Sequence, residues 1–285
     1  MNQQNNRKIV FIDIDGTLLM ENGIIPESAI QACRQARKNG HLLYLCTGRS
    51  KAEIYDYIWD IGFDGLIGAA GGYVENGNEM LYHKKVTPED ARHLVDYFNA
   101  NGVDFILESN TALHGSRNLQ PHLERRIYGD LLNDPEAQER KRLSPQHPYI
   151  ATLTYGDEEL YLDDVNKICF LESSLPFHQI QEELQDRFTA IQCSIPIFGE
   201  HSGELMMPGI HKASAIADVL NHLNIPREHS MAIGDGLNDM EMLEYVQVGV
   251  AMGNAREPLK FIADEITDNI EDDGLYNCFR KHGMI

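Results

Sequence analysis

The sequence is poor in cysteine, and its few thiols are not arranged in pairs. Its 285 residues include five cysteines: Cys33, Cys46, Cys169, Cys193 and Cys278. Their number is odd, their spacing is wide and no C-x-x-C pair occurs, so the pattern predicts neither a disulfide framework nor a zinc site. Such cysteines are typical of buried, unreactive thiols in a reducing cytoplasm.

Long apolar runs and positive charge are also scarce. No run approaches the roughly 18 apolar residues that span a bilayer, and the polar start MNQQNNRK lacks the apolar stretch of a secretory signal. Against 44 acidic residues there are 24 lysines and arginines, which gives a formal charge of −20. A surface this acidic repels nucleic acids and anionic membranes, so neither partner is expected. The hydrophobic content of 42% is nevertheless that of a folded protein.

Strand and helix patterns alternate near the start of the chain. Residues 7–15 (RKIVFIDID) and 41–47 (HLLYLCT) have the composition of buried strands, and a helix is predicted between them over 26–39. A second helix follows, with an apolar face that carries Ile54, Ile58 and Ile61. This alternation predicts a parallel α/β sheet.

The alternation returns near the end of the chain. Strands are predicted at 203–208 (GELMMP), 230–235 (SMAIGD) and 247–252 (QVGVAM), with a helix over 211–224. We therefore expect these parts to complete one Rossmann-like α/β core.

The middle of the chain has a different pattern. Strand-like runs such as VDFILE and VNKICFLE are separated by longer polar stretches, and residues 133–147 are predicted to be an exposed loop or a short surface helix. The expected organisation is a core domain of residues 1–83 and 202–285, with an α+β domain inserted at 84–201.

The first candidate site is Asp13-Ile14-Asp15, at the end of the first predicted strand. Side chains two residues apart on a strand point to the same side, so both carboxylates should face the crevice at the carboxyl edge of the sheet. Two neighbouring carboxylates repel each other unless a cation or a proton relieves them. Taken alone, the pattern fits turn residues, and it also occurs in metal-dependent glycosyltransferases.

Two further candidates could bind an anion. Thr47 and Gly48 end the second strand, where a hydroxyl, a free glycine amide and a helix N-terminus can bind negative charge, although Thr47 could simply cap a helix. Lys212 begins a late helix, against the preference of the helix dipole for acidic residues. Its position therefore suggests a nearby anion. The neighbouring His211 is expected to be a packing or solvated residue.

The last candidate is the segment 233–243 (IGDGLNDMEML), which follows a predicted strand. Two glycines allow a tight turn after Asp235, and Asn238 and Asp239 lie where the next helix begins. A second acidic cluster at a strand end is what a hard cation with oxygen ligands requires. A glycine-rich turn before a capped helix is the alternative.

In this order, the motifs DIDGT, TGR, a late lysine and GDGLND resemble the four motifs of the haloacid dehalogenase superfamily of phosphohydrolases. A large α+β insertion between the second and third motifs is similar to the type IIB capped branch, the Cof-like hydrolases. One departure is Ala69-Ala70-Gly71-Gly72, where many relatives have Asn-Gly. Any contact made by that asparagine must be absent or replaced here.

The resemblance implies a role for each motif residue. Asp13 would be the nucleophile that forms an aspartyl-phosphate, and Asp15 would be the general acid and base. Mg²⁺ would be held by Asp13, by the backbone carbonyl of Asp15 and by Asp235, with Asp239 in support. The implied phosphate-binding residues are Thr47, Gly48, Lys212 and Asn238.

The resemblance also implies that the inserted domain is a cap that closes over a small phosphorylated metabolite, such as a sugar phosphate or a phosphorylated cofactor. Residues that could line the cap, or could be solvated loop residues instead, are His114, Arg117, His201 and Ser202. A phosphomutase and a non-catalytic regulator on the same fold are the alternatives. A glycosyltransferase is disfavoured because it would not explain Lys212 and GDGLND. The sequence predicts no oligomeric state.

Overall fold

The computed structural model of the chain describes residues 7–145, 148–156, 160–193 and 196–285. The strands in these ranges are β1 (Ile9–Ile12), β2 (Leu42–Cys46), β3 (Gly65–Gly68), β4 (Tyr73–Asn76), β5 (Glu79–His83), β6 (Phe105–Ser109), β7 (Leu113–Gly115), β8 (Leu153–Tyr155), β9 (Val165–Phe170), β10 (Thr189–Gln192), β11 (Gly203–Met206), β12 (Ser230–Gly234), β13 (Val248–Ala251) and β14 (Glu265–Ile266). The helices in the same ranges are α1 (Glu27–Lys38), α2 (Asp56–Trp59), α3 (Pro88–Asn101), α4 (Leu119–Tyr128), α5 (Pro135–Leu143), α6 (Pro148–Thr152), α7 (Phe177–Leu184), α8 (Lys212–Leu223), α9 (Met240–Tyr245), α10 (Glu257–Ile262) and α11 (Gly274–Lys281).

The described chain divides into two compact units. The first contains the residues up to Arg49 together with Ile54–His83 and Ile210–Ile285. The second contains Ser50–Glu53 and Lys84–Gly209. The first unit is therefore built from separate pieces of sequence.

The sheet of the first unit has the strand order β14-β13-β12-β1-β2-β3-β4-β5 in the described residues. The strands from β14 to β3 are parallel, and β4 and β5 add an antiparallel edge. All four side chains of Ile9–Ile12 are fully buried, as expected for a central strand covered on both faces. Because these strands are parallel, the residues that follow β1, β2 and β12 meet at one edge of the sheet.

The second unit has a sheet of order β10-β11-β9-β6-β7-β8 in the described residues. Its pairs are antiparallel except for β7 with β8. Buried aromatic side chains hold α3 against this sheet, and Phe98 on α3 stacks on Phe105 with ring centroids 5.5 Å apart. The N-terminus of α3 is capped by Thr87, whose hydroxyl accepts the backbone N–H of Asp90 at 3.1 Å.

Two local predictions were wrong. The run at 203–208 is a strand, but it pairs with β9 and β10 in the second sheet, so the second unit extends to Gly209 rather than ending at residue 201. The helix predicted to carry Ile54, Ile58 and Ile61 is reduced to Asp56–Trp59, after a 3-10 turn at Lys51–Glu53. The three isoleucines are buried all the same, because apolar side chains pack into a core without needing a regular helix.

The segment 133–147 contains α5, a short surface helix, and its last two residues lie outside the described ranges. None of the helices in the described ranges is both long and apolar enough to cross a membrane.

Candidate active site

The site is centred on Asp13, which directly follows the end of β1. The backbone N–H of Asp13 donates to Ile233 O at 3.0 Å, so the ends of β1 and β12 are held side by side. Gly16 has a positive φ of 80°, and a Cβ at this position would collide with the Asp235 carboxylate. Thr17 Oγ1 donates to Asp235 Oδ1 at 2.9 Å. The turn after β1 therefore brings Asp13 and Asp235 together.

Lys212 is the buried cation of this site. It is the first residue of α8, after the N-cap His211, whose Nδ1 accepts the backbone N–H of Ser214 at 3.2 Å. Its side chain is 1% exposed, and its Nζ donates to Asp13 Oδ1 at 2.6 Å and to Asp239 Oδ1 at 2.5 Å. These two carboxylates supply the negative charge that a lysine at a helix N-terminus needs.

Asp239 organises the loop after β12. Its Oδ2 accepts the backbone N–H groups of Asp235 at 3.0 Å and Gly236 at 2.9 Å. Gly234 leaves the room for this carboxylate, since a Cβ there would overlap it. Both oxygens of Asp239 are thus occupied by hydrogen bonds that fix Asp235 and Lys212. We call Asp13, Lys212, Asp235 and Asp239 the strand-end cluster.

The strand-end cluster contains more negative than positive charge. Burial raises the pKa of Asp13 well above its usual range, and Asp239 adds to this effect against the opposing charge of Lys212. Burial and the charge of Asp239 raise the pKa of Asp235 to about 6. Burial lowers the pKa of Lys212, but Asp13 and Asp239 outweigh it and raise that pKa overall. One lysine therefore does not neutralise the cluster.

Carboxylate oxygens of Asp13, Asp235 and Asp239 all lie within 4.8 Å of one another. Oxygen donors of this kind are the ligands that hard divalent cations prefer. The donor set and the uncompensated negative charge therefore fit a divalent metal.

The loop after β2 lies beside this cluster. Thr47 N donates to Ile67 O at 2.8 Å, and Thr47 Oγ1 accepts the backbone N–H of Arg49 at 3.1 Å. A Cβ placed on Gly48 would lie 3.7 Å from Asn238 Nδ2, so Gly48 and Asn238 are neighbours. No regular helix begins here, since Lys51–Glu53 form a 3-10 turn. The predicted helix N-terminus is absent, and backbone N–H groups with Asn238 are the available anion donors.

Arg49 lies at the site, although the Thr-Gly-Arg motif alone predicts no separate role for it. Its Nε and a terminal nitrogen donate to the two carboxylate oxygens of Asp15 at 2.8 and 2.7 Å. The guanidinium carbon also lies 5.5 Å from the ring centroid of Tyr55. A signal was present, because an arginine directly after Thr-Gly at a strand end faces the same edge as the residues after β1.

Residues 69–72, where many relatives have Asn-Gly, form a tight turn that supports the loop after β2. Ala69 and Ala70 have positive φ angles of 49° and 54°, a conformation unfavourable for residues with a Cβ. Ala69 N donates to Arg49 O at 2.8 Å, and Ala70 N donates to Thr47 O at 3.0 Å. Main-chain hydrogen bonds therefore support the Thr47 loop here without an asparagine side chain.

The four residues predicted to line the cap all belong to the second unit, but its sheet does not bring them into one group. His114 lies on β7, where its Nδ1 is 2.8 Å from Thr154 Oγ1, and Arg117 is exposed just after that strand. His201 and Ser202 precede β11, which is separated from β7 by β9 and β6. The buried Ser202 hydroxyl donates to Gly199 O at 2.6 Å, so it already has a structural role.

A second buried charged cluster lies on the sheet of the second unit, and its residues were not predicted. Lys167 Nζ is 3.3 Å from Glu108 Oε2 and 3.0 Å from Glu204 Oε2. The Ser50 hydroxyl donates to Glu108 Oε2 at 3.3 Å and accepts from Asn166 Nδ2 at 3.0 Å. We call Glu108, Lys167 and Glu204 the sheet cluster.

A comparison of the sequence with known protein families shows to which family the chain belongs. The family model for haloacid dehalogenase-like hydrolases matches residues 10–279 of this chain. The chain belongs to this family. The match includes every residue of the strand-end cluster, and it confirms the resemblance seen in the four motifs.

Known phosphatases resemble the chain along nearly its whole length. The phosphatase YwpJ of Bacillus subtilis strain 168 is 27% identical, over 96% of this chain and 99% of the relative. The 5-amino-6-(5-phospho-D-ribitylamino)uracil phosphatase YcsE of the same strain is also 27% identical, over 96% of this chain and 94% of its own length. A solved subclass IIB sugar phosphatase of the haloacid dehalogenase superfamily is similar with a TM-score of 0.74 and 25% identity, covering 98% of this chain and all of that one.

The chain is therefore an enzyme of the phosphatase type, with the predicted parallel-sheet α/β core. Phosphatases of this family generally use a divalent metal, which agrees with the oxygen donors found in the strand-end cluster.

Proposed function

We propose that this phosphatase hydrolyses small phosphorylated metabolites with Mg²⁺ as its metal, through an aspartyl-phosphate formed on Asp13. The observation that carries the proposal is the position of Asp13: it is 5% exposed, bonded to Lys212 at 2.6 Å and within 4.8 Å of the Asp235 and Asp239 oxygens. A buried carboxylate beside a fixed cation and further acids suits a nucleophile that acts on a phosphate group.

The residues present fit Mg²⁺. Asp13, Asp235 and the backbone carbonyl of Asp15 would hold it, and Asp239 would fix Asp235 through the loop hydrogen bonds at 3.0 and 2.9 Å. When bound, Mg²⁺ supplies the positive charge that the substrate phosphate needs beside these carboxylates.

In the first step, a carboxylate oxygen of Asp13 attacks phosphorus and the bond from phosphorus to the leaving oxygen breaks. Asp15 donates its proton to that leaving oxygen, which departs as an alcohol. Lys212 orients Asp13 and, with the amide of Gly48, Thr47 and Asn238, stabilises charge on the phosphoryl oxygens.

In the second step, a water molecule attacks phosphorus and gives its proton to Asp15. The bond between phosphorus and Asp13 breaks, which releases inorganic phosphate and restores the carboxylate. In this structure Asp15 is ion-paired with Arg49 at 2.7 Å. Asp15 must therefore leave Arg49 and take up a proton from solvent before it can act as the general acid, and after phosphate release it returns that proton to solvent when it pairs with Arg49 again.

The proposed substrate class is a sugar phosphate or a phosphorylated cofactor. Two similar proteins support it, since one is named for a phosphorylated ribityl compound and another is a sugar phosphatase. The net charge of −20 disfavours polyanions such as nucleic acids. We assign substrate selection to the second unit, where His114, Arg117, His201 and Ser202 stay candidates for it.

The test is a phosphate-release screen over sugar phosphates, nucleotides and phosphorylated cofactors, run with Mg²⁺, after EDTA treatment and after Mg²⁺ is restored. We expect release of inorganic phosphate from a subset of small phosphates, loss of activity with EDTA and recovery with Mg²⁺. Full activity in metal-free buffer would contradict the metal assignment. Isomer formation without phosphate release would identify a mutase instead.

A further inference from the structure

Three potential metal ligands meet on one face of the sheet of the second unit. Cys169 on β9 is directly opposite Glu204 on β11. Cys193 follows β10 on the other side of β11, and its backbone N–H donates to Ser202 O at 3.2 Å. The two Sγ atoms and a carboxylate oxygen of Glu204 all lie within 4.8 Å of one another. We propose that Cys169, Cys193 and Glu204 form a binding site for Zn²⁺.

The two cysteines are placed for a shared metal rather than for a disulfide. β11 lies between the strands that lead to them, and two strand spacings separate backbones by about 9 Å. A disulfide requires Cα atoms within roughly 7 Å. Two thiolates on one Zn²⁺, each about 2.3 Å from the metal, can span the longer gap.

The surroundings of Cys169 disfavour a bare thiolate. A hydrogen bond with Cys193, burial and the nearby charge of Glu204 raise the pKa of Cys169 well above its usual range. A thiophilic cation removes this conflict, because it displaces the thiol protons and binds the resulting thiolates. The same side chains that disfavour a bare thiolate therefore favour a metal-bound one.

Glu204 is held in position for this role. Its Oε2 lies 3.0 Å from Lys167 Nζ, which is itself fixed by Glu108 at 3.3 Å. Its Oε1 has no hydrogen-bond partner within the described ranges of the chain. Hydrogen bonds that orient a ligand from behind are a common feature of metal sites. The Glu204 side chain is 23% exposed, which leaves a route for an ion from solvent.

The donor set selects the metal. Two sulfur ligands and one carboxylate, with a fourth position for water, suit tetrahedral Zn²⁺. Mg²⁺ requires an octahedral set of oxygen ligands and would not bind two thiolates. The strand-end cluster offers only carboxylate oxygens, so the two sites should be separable by metal.

The test is Zn²⁺ binding to the full-length chain, stripped with a chelator and then saturated with Mg²⁺ to occupy the strand-end cluster. Competition with a chromophoric chelator should show one equivalent of bound Zn²⁺. Cys193→Ser should weaken Zn²⁺ binding by about 100-fold or more, and Glu204→Gln by roughly 10- to 100-fold. The matched control is Cys33→Ala, which removes a buried thiol of the first unit and should leave Zn²⁺ binding unchanged.

Co²⁺ provides a second measurement that does not depend on activity. The wild-type chain with Co²⁺ should show a thiolate-to-metal charge-transfer band, and Cys193→Ser should lose it. The proposal is overturned if the Mg²⁺-saturated chain binds no Zn²⁺, if Cys193→Ser and Cys33→Ala bind Zn²⁺ alike, or if the Co²⁺ spectrum has no sulfur contribution.

Discussion

Lys212 and Lys167, both buried in the described part of the chain, have similar neighbours, and we propose different roles for them. Lys212 lies between Asp13 and Asp239, and Lys167 lies between Glu108 and Glu204. In both clusters the carboxylates raise the pKa of the lysine although burial lowers it. The charges of the two clusters therefore do not distinguish the cluster that we propose to be catalytic from the one that we propose to be structural.

The two clusters differ in their positions on their respective sheets. Asp13 follows the carboxyl end of a parallel strand, beside loops that contribute Asp235 and Gly48. Glu108 and Lys167 face each other within an antiparallel pair, where cross-strand contacts hold strands together. Reacting groups need an open strand end, and a charged pair inside a sheet mainly fixes register.

The largest expected effect is on the rate of phosphate release when one buried acid of each cluster is replaced by its amide. Asp13→Asn should lower Mg²⁺-dependent phosphate release roughly 10⁴- to 10⁶-fold, the loss found when a member of a nucleophilic catalytic unit is removed. The matched variant Glu108→Gln changes a buried acid of the sheet cluster and should keep the rate within about tenfold. Both rates are measured with an aryl phosphate, and circular dichroism checks the fold. Retained activity in Asp13→Asn would exclude Asp13 as the nucleophile.

The lysines should differ in what their removal damages. Lys212→Met should lower kcat by about 10²- to 10³-fold, because a fixed cation at the phosphoryl oxygens is lost. Lys167→Met should lower the free energy of unfolding by about 3–5 kcal/mol, as breaking a buried ion pair does, with kcat per folded molecule nearly unchanged. Urea unfolding and steady-state kinetics of both variants provide the comparison. Equal losses of kcat would show that the clusters are not functionally distinct.

The strand-end cluster was predictable because local sequence patterns specify it. A buried strand followed by Asp13, or by Asp235, puts each acid at the carboxyl edge in any parallel sheet. Glu108, Lys167 and Glu204 carry no such mark, because their proximity depends on which strands pair and in which register. The strand at Gly203–Met206 was predicted as a strand but was assigned to the wrong sheet, because its pairing partners are not specified by its local sequence. Hydrophobic periodicity predicts that a segment is a strand, but it does not predict which strand it pairs with.

Glycine substitutions test the geometry of the proposed metal site and should have smaller effects. Gly16→Ala places a Cβ against the Asp235 carboxylate and should raise the Mg²⁺ concentration for half-maximal activity by about 10- to 100-fold. Gly102→Ala is the matched control, since Gly102 also has a positive φ, 64°, but nothing lies within 4 Å of the added Cβ. Both variants carry similar backbone strain. A shared loss of Mg²⁺ affinity would point to strain rather than to contact with Asp235.

The smallest expected effect is a difference in pH dependence. Burial raises the pKa of Asp104 in the second unit, but hydrogen bonds from His122 and Ser116 outweigh it and lower that pKa overall. Its stabilisation is therefore present above the usual carboxyl pKa and is lost as pH falls. Asp235, with a pKa raised to about 6, has the opposite sign in the metal-free chain. There, stability falls as pH rises from about 4 to 6.

Urea unfolding of the metal-free chain from pH 3 to pH 7 measures both slopes. Asp104→Asn should flatten the acid limb, and Asp235→Asn should reduce the loss between pH 4 and 6, to which Asp13 with its raised pKa also contributes. Identical slopes in both variants and the wild type would contradict these assignments.

The most direct test of the account is to trap the intermediate. Borohydride added during turnover of an aryl phosphate with Mg²⁺ reduces an acyl phosphate to an alcohol, and peptide mass spectrometry locates the reduced side chain. The account predicts reduction at Asp13 only, dependent on substrate, with Asp15 unmodified. Reduction at Asp15, or no reduced side chain at Asp13 during rapid turnover, would contradict it.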